Sequence, residues 1–389
     1  MIKYVIISMV IKMLKRKLEK LNIETSVLGF GCMRFPLNCE GKIEEVEAEK
    51  MLDLAIASGV NYIDTAYPYH GGESELFVGK VLKKYPRNSF YLATKLPMFY
   101  VEKEEDVNRF FSEQLEKLQM DYVDFYLLHA LNKTSFQKVK DFKVLEKLIE
   151  FKNQGKIKYI GFSFHDEYEV FEEIINYYDW DFCQIQFNYM DTDTQAGLKG
   201  YELTCKKNIP LVIMEPIKGG LLAKLPGDIS NILEKQEYSK TDSAFALRYV
   251  ASFENVKVIL SGMSNLEQVQ DNLNTFNNYK ELSVNEQENI SLVVKKLKER
   301  IKNGCTGCRY CMPCPKGVNI PGLFYNWNQY GVYDNETSFV NRMDDFKKKE
   351  MFVDKCVNCK ACEKICPQHL QITSDFKKIL DDYNNIKNK

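Results

Sequence analysis

The chain has 389 residues, of which 45% are hydrophobic and 13% aromatic, and its formal net charge is −1 at pH 7. This length exceeds one ordinary domain unless a large barrel takes most of it, and the apolar fraction is ample for such a core. The balanced charge argues against a nucleic-acid partner, which would need a basic surface.

The first residues carry an apolar run at 4–11 with Lys3 before it. The run is too short to span a membrane, and no small-residue cleavage site follows it, as a secretory signal would need. Met13 is an alternative start, because the pattern described next begins there. The expectation is a cytoplasmic protein without a membrane partner.

From about residue 27 to 276, short apolar runs alternate with amphipathic stretches. Strands are predicted at 28–31, 61–64, 90–94, 123–128, 159–163, 182–186, 210–214 and 256–261. Helices are predicted between them at 46–58, 74–84, 105–117, 144–153, 168–177, 195–207 and 243–251. Eight strand–helix units over this length predict an α/β fold of the (β/α)8 TIM barrel type. A doubly wound sheet would place a glycine-rich phosphate loop after its first strand. Here Gly29-Phe30-Gly31 is followed by Cys32-Met33-Arg34-Phe35-Pro36, so that fingerprint is absent.

Barrel enzymes hold their chemistry just past the C-terminal ends of strands. The polar residues at those places are Asp64, Tyr69, Lys95, His129, Ser163, His165, Gln184 and Glu215. Asp, Tyr, Lys and His at consecutive strand ends form an acid–base set. A lysine beside a tyrosine favours the phenolate and is expected to bring the phenol from about 10 toward 7. A surface ion pair or a core histidine is the ordinary reading of any one of these residues. Four types at four matching places outweigh it.

Asp64-Thr65-Ala66-x-x-Tyr69, Ala93-Thr94-Lys95 and Leu127-Leu128-His129 resemble the catalytic tetrad of the aldo-keto reductase family, over roughly residues 15–275. The resemblance implies that Tyr69 is the general acid, Lys95 lowers its pKa, Asp64 orients Lys95, and His129 positions a small carbonyl substrate. It also implies a nicotinamide cofactor, NADP or NAD, held by Met33, Asp64, Ser163, Gln184, Met214, Gly219, Leu221, Gly262, Gln268 and Asn272. Ser163 and Gln184 would take the carboxamide. Three departures stand out: Phe164 replaces the usual Asn, Met214 and Glu215 replace a stacking aromatic, and Gly262 and Gln268 replace basic anchors for a 2′-phosphate.

Residues 285–302 read as a linking helix, with Ile290, Val293, Val294, Leu297 and Ile301 at helical spacing. Beyond it come Cys305-x2-Cys308-x2-Cys311-x2-Cys314-Pro315 and Cys356-x2-Cys359-x2-Cys362-x3-Cys366-Pro367. The second run has the spacing of bacterial 4Fe–4S ferredoxins, in which three cysteines hold one cubane and the fourth reaches the other. The first is one residue short before Cys314. Cysteines with two residues between them are poorly placed to bridge each other, and zinc sites take two closely spaced cysteines per arm rather than four. The eight are therefore expected to hold two 4Fe–4S clusters, with the arms folding around the metal because neither has apolar sequence for a core. Cys32, Cys39, Cys183 and Cys205 read as packing residues. His70 and His369 read as surface or supporting residues. Short helices are expected at 322–349, and a fraying helix after Thr373.

The expected organisation is a barrel over 13–280, a linking helix over 281–302, a small α-helical ferredoxin-like 4Fe–4S domain over 303–375, and a tail over 376–389. The whole chain resembles the bacterial aldo-keto reductase subfamily with a ferredoxin-like C-terminal extension. The leading expectation is an oxidoreductase that reduces an aldehyde or ketone. The alternative is an electron-transfer or regulatory protein whose barrel binds a cofactor with little turnover. A hydride carries two electrons and a cubane passes one, so either the clusters are structural or a converter such as a flavin is bound on this chain or on a redox partner protein.

Overall fold

The computed structural model describes residues 13–235 and 239–389, so the apolar run at 4–11 lies outside the described residues. The chain divides into two compact units, one formed by residues up to 224 with 235–287, the other by 225–234 with 288–389.

In the first unit, a hairpin of β1 (Lys15–Leu18) and β2 (Ile23–Ser26) precedes a closed parallel barrel. Its strands are β3 (Leu28–Gly31), β4 (Tyr62–Asp64), β5 (Tyr91–Leu96), β6 (Val123–Leu131), β7 (Ile157–Phe164), β8 (Phe182–Gln186), β9 (Leu211–Met214) and β10 (Val256–Gly262), with β10 pairing back to β3. Each predicted strand is present, with ends shifted by at most three residues. The outer helices are α1 (Glu45–Ala57), α2 (Ser74–Leu82), α3 (Glu105–Leu118), α4 (Lys133–Asp141), α5 (Val144–Asn153), α6 (Tyr168–Tyr177) and α7 (Gly197–Lys206). After α8 (Gly227–Ser230), which belongs to the second unit, come α9 (Asp242–Ala251) and α10 (Leu266–Asn277).

Strand parity places the chemistry. Successive strand residues point to opposite faces, and Tyr62, Ala93, Phe125, Leu127, Phe182, Val212, Val258 and Leu260 pack as one cluster with Leu18 from the hairpin. Two residues on from these, on the same inner face, stand Asp64, Lys95, His129, Gln184 and Met214. The lower barrel is thus filled with apolar groups, each fully buried one stabilising by about 1.5–3 kcal/mol, and the last inward residue of several strands is polar. Gly161 on β7 is required by this packing: a Cβ there would stand 2.6 Å from the Phe182 ring and 2.7 Å from its carbonyl oxygen. The opposite parity sends Phe162, Phe164 and Cys183 outward into the core shared with the helices.

The second unit follows α11 (Val284–Glu299), which carries the chain across the boundary. It contains α12 (Ile320–Tyr333), α13 (Glu336–Lys348), α14 (Ala361–Lys364) and α15 (Ile372–Lys387). Val318, Leu323, Phe324, Trp327, Phe339, Met343, Phe352, Ile372, Phe376 and Ile379 form a buried core there. None of these core residues lies in the cysteine arms themselves, 305–314 and 356–366. The helices between and after them supply apolar surface, and six of the arm cysteines pack against it. Polar pins add to the core: Trp327 Nε1 donates to Asp382 at 2.7 Å, and the Asn303 side chain donates to Asp375 at 2.5 Å. Among the described residues no helix is long and apolar enough to cross a membrane.

Candidate active site and cysteine hollows

The Lys95 ammonium, on β5, donates to Asp64 Oδ1 at 2.6 Å, to the Thr65 carbonyl at 2.8 Å and to the Tyr69 hydroxyl at 3.3 Å. The Lys95 and Asp64 side chains are 1% and 3% exposed, so neither tolerates loss of the other. Tyr69 follows β4 in a tight turn whose next three residues, His70, Gly71 and Gly72, are all left-handed. That turn returns the chain into α2 and leaves the phenol over Lys95. His129 sits where the β6–β7 register shifts between Leu128 and Leu131. Its ring meets Tyr69 edge-on at 6.1 Å, and Phe99 lies 5.5 Å away on another side.

Electrostatics correct one expectation. Burial raises the Tyr69 pKa above its ordinary value, and the nearby Lys95 ammonium only partly opposes this. In a low-dielectric pocket the penalty on a phenolate, added to the Asp64 charge, outweighs one cation at 3.3 Å. The phenol therefore stays neutral, the form that can give a proton. Burial would lower Lys95, but Asp64 and Tyr69 overrule it and the ammonium is favoured. Burial raises Asp64, with Lys95 opposing. His129 is pushed down to about 3 by burial, then by Lys95 and His165. It is a neutral imidazole, able to donate one N–H.

These groups form the floor of a cavity of about 470 Å³. Met33, Asp64, Tyr69, His129, Ser163, Gln184, Met214, Gly219, Gly262, Gln268 and Asn272 all line it. Leu221 lies in the same loop as Gly219 but does not reach the wall, which Gly220 and Ala223 form instead. Lys95 is wholly buried behind Tyr69. Phe164 points outward and packs on Phe171 at 5.2 Å between ring centroids. Phe164 therefore does not line the cavity.

The residues present fit a nicotinamide dinucleotide. Gln184 Oε1 is buried without a protein partner and suits a carboxamide N–H. The Ser163 hydroxyl accepts the Ala130 N–H at 2.8 Å and keeps its own proton to donate. At the far end, Gln268 caps its own loop, its side-chain oxygen accepting the Ser264 N–H at 2.7 Å. Asp271 accepts the hydroxyls of Thr241 and Ser243 at 2.7 and 2.9 Å. The Asn272 side chain donates to Ser261 at 2.8 Å. Sequence reasoning missed two lining groups of this end, Arg34 and Asp271. Arg34 covers Gly262, where a Cβ would come within 2.6 Å of the arginine Cγ. Lys218, which could have replaced the absent anchors, is held by Asp191 at 2.6 Å.

In the second unit the eight cysteines line two hollows. Cys305, Cys308, Cys311 and Cys366 surround one. Cys314, Cys356, Cys359 and Cys362 surround the other, which Cys311 also borders. Left-handed residues between the cysteines, at Gly307, Arg309, Asn358 and Lys360, curl each arm around its space. The Asn358 N–H donates to Cys356 Sγ at 3.4 Å. All eight thiols are free. Four cysteines around each hollow are the donor set that a 4Fe–4S cluster takes. Each arm lends its last cysteine to the other hollow, and the short spacing before Cys314 does not remove it from the set. Of the remaining four cysteines, Cys32 and Cys183 are buried, whereas Cys39 and Cys205 are exposed rather than packed. His70 packs on Phe35, with ring centroids 5.8 Å apart.

Comparison with known proteins gives matches to both parts. The family model described as aldo/keto reductase matches residues 27–292, and a 4Fe–4S dicluster domain matches residues 304–372. A probable aldo-keto reductase 1 of Glycine max is 34% identical over 155 residues, 38% of this chain and 44% of the relative. An NADH-specific methylglyoxal reductase of Escherichia coli is 26% identical over 268 residues, 56% of this chain and 79% of the relative. Among solved structures, an aldo-keto reductase of Bacillus halodurans in its holo form aligns with TM-score 0.61 at 26% identity. That alignment covers 72% of this chain and 96% of that one.

Proposed function

This chain belongs to the aldo/keto reductase family, and from that premise we propose that it reduces a small aldehyde or ketone with a nicotinamide dinucleotide bound in the barrel cavity. The observation that carries the reading is the Tyr69 hydroxyl at 3.3 Å from Lys95, itself 2.6 Å from Asp64, on the floor of a cavity that His129, Ser163 and Gln184 also line.

The bound dinucleotide supplies the hydride. Ser163 and Gln184 orient its carboxamide. His129, kept neutral, donates an N–H to the carbonyl oxygen and positions it. Tyr69 transfers its proton to that oxygen as negative charge develops there. Lys95 stabilises the phenolate left behind, and Asp64 holds Lys95 in place and balances its charge. Phe99, 46% exposed beside His129, offers an apolar face to the substrate substituent.

For the second unit the reading is two 4Fe–4S clusters, one in each hollow, supported by the crossed fourth ligands and the dicluster match. Either the clusters are structural, or their one-electron chemistry is coupled to the two-electron hydride through a converter such as a flavin, here or on a redox partner protein. Protein purified without oxygen should contain about eight iron and eight sulfide per chain. It should oxidise reduced nicotinamide when given members of an aldehyde panel. Full iron with no turnover of any carbonyl would favour the electron-transfer alternative.

A further inference from the structure

The loop after β9 runs through Glu215, Pro216, Ile217, Lys218, Gly219 and Gly220, and five of these six residues line the cavity. Its backbone is held in an uncommon shape, because Glu215, Lys218, Gly219 and Gly220 are all left-handed. Two of those are not glycine, a conformation that persists only where surrounding contacts impose it.

The contacts that impose it converge on Asp191, in the segment after β8 and 7% exposed. Both Asp191 oxygens accept from the Lys218 ammonium at 2.6 Å. Oδ2 also accepts from Gln186 Nε2 at 3.1 Å and from Asn188 Nδ2 at 3.0 Å. The same Asn188 amide reaches the Glu215 carbonyl at 3.2 Å, and Glu215 closes its own turn by accepting the Lys218 N–H at 3.0 Å. Gln195 extends the chain of bonds, donating to Gln186 Oε1 at 3.3 Å. One carboxylate thus ties the end of β8 to the loop of β9 without itself lining the cavity.

We propose that Asp191 is a positioning residue that latches the 215–220 loop over the dinucleotide, acting through Lys218. The inference rests on the nicotinamide reading of the cavity. With the latch intact the loop is preformed before the dinucleotide arrives. Without it the loop spends most of its time away from the binding shape, and apparent affinity falls by the fraction of time it is competent.

The test uses the full chain with Asp191→Asn and Lys218→Met, singly and together. Amide exchange of residues 217–222 is followed without nucleotide, and NADH and NADPH affinities are read from nicotinamide fluorescence. Both single variants should speed exchange in this loop but not in β5. Each should weaken both nucleotides by roughly tenfold, with the kinetic effect falling on KM for the nucleotide rather than on kcat. The double variant should be no weaker than either single one, because the two residues act as one device. Unchanged exchange and unchanged affinity in both variants would overturn the latch. Faster loop exchange in a protein whose wild type binds no nicotinamide nucleotide would overturn the nucleotide reading and the latch's role in binding, while leaving Asp191 as the anchor of the loop. Lys218→Gln, which keeps a polar group at the anchor, serves if Asp191→Asn does not fold.

Discussion

The Lys95 ammonium donates to the Tyr69 hydroxyl at 3.3 Å, a long contact beside its 2.6 Å bond to Asp64. The cation is spent mainly on the buried carboxylate, and burial sets the state of the phenol. Replacing Tyr69 with Phe keeps the ring and removes only the proton. Carbonyl reduction should fall by about 10²–10⁴-fold, the usual contribution of a general acid, while dinucleotide affinity stays near wild type. Because the Tyr69 pKa is raised from 10.0, wild-type kcat/KM should show no deprotonation limb from this group below pH 10. A limb near pH 7 that disappears in Tyr69→Phe would show that Lys95, not burial, dominates.

Breaking the Asp64–Lys95 pair should cost stability as well as rate. Both side chains are at most 3% exposed, and removing one partner strands a buried charge, with a typical cost of about 3–5 kcal/mol. Lys95→Met is therefore expected to lower the barrel's unfolding midpoint strongly. Asp64→Asn/Lys95→Met should recover part of the loss, since no unpaired charge remains. A double variant no more stable than Lys95→Met would contradict the pairing argument.

Much of this site was legible in the sequence because strand parity does the placing. An apolar residue two positions before Asp64, Lys95, His129 and Gln184 marks each of them as inward at the open end. Arg34 and Asp271 escaped the same reasoning because neither lies on a barrel strand: one follows β3 in a loop, the other sits on α10. The fold of the second unit was less legible than its ligands. Cysteine spacing states its chemistry directly, whereas the core under the arms comes from residues such as Phe324, Met343 and Phe376 on separate helices. Only their tertiary packing shows that they meet. The raised Tyr69 pKa is illegible in sequence for a related reason: sequence supplies the neighbouring lysine but not the burial that outweighs it.

The crossed hollows give a cluster-by-cluster test. Cys366 lines the hollow of Cys305, Cys308 and Cys311 rather than that of its own arm. Cys359→Ala and Cys366→Ala should therefore damage different clusters, each variant losing about four iron rather than eight. The apolar core of the second unit should keep its helices formed when either cluster is lost. Far-ultraviolet circular dichroism should change little, and barrel turnover should persist. Loss of all helical signal from this unit on iron chelation would show instead that the metal, not the core, holds it.

His129 ties stability to pH. Its pKa is about 3 in the folded protein against 6.5 ordinarily, so the unfolded chain binds a proton in that window and the native state does not. Stability should then be full above pH 6.5 and decline as pH falls toward 3, by at most about 1.4 kcal/mol per pH unit from this group. His129→Gln, which cannot take up that proton, should flatten the slope in denaturant titrations between pH 6.5 and 4. An unchanged slope would mean that other groups carry the acid sensitivity.

The far end of the cavity presents one cation and one anion, and these should set nucleotide choice. Arg34 lies against Gly262, where the family resemblance places the 2′-phosphate, and Asp271 lines the same cavity. Arginine favours the extra phosphate of NADPH, and the carboxylate disfavours it while accepting the ribose hydroxyls of NADH. Opposed in this way, they should leave wild-type discrimination below about tenfold, since a single charged hydrogen bond is worth about 1.5–3 kcal/mol. Arg34→Ala should shift preference toward NADH by at least about tenfold, and Asp271→Asn should shift it toward NADPH. Both ratios come from fluorescence titration at one fixed ionic strength, because a phosphate contact at an exposed arginine is weakened by salt. If Arg34→Ala weakens both nucleotides equally, the guanidinium serves the shared pyrophosphate, and the choice between nucleotides rests on Asp271 alone.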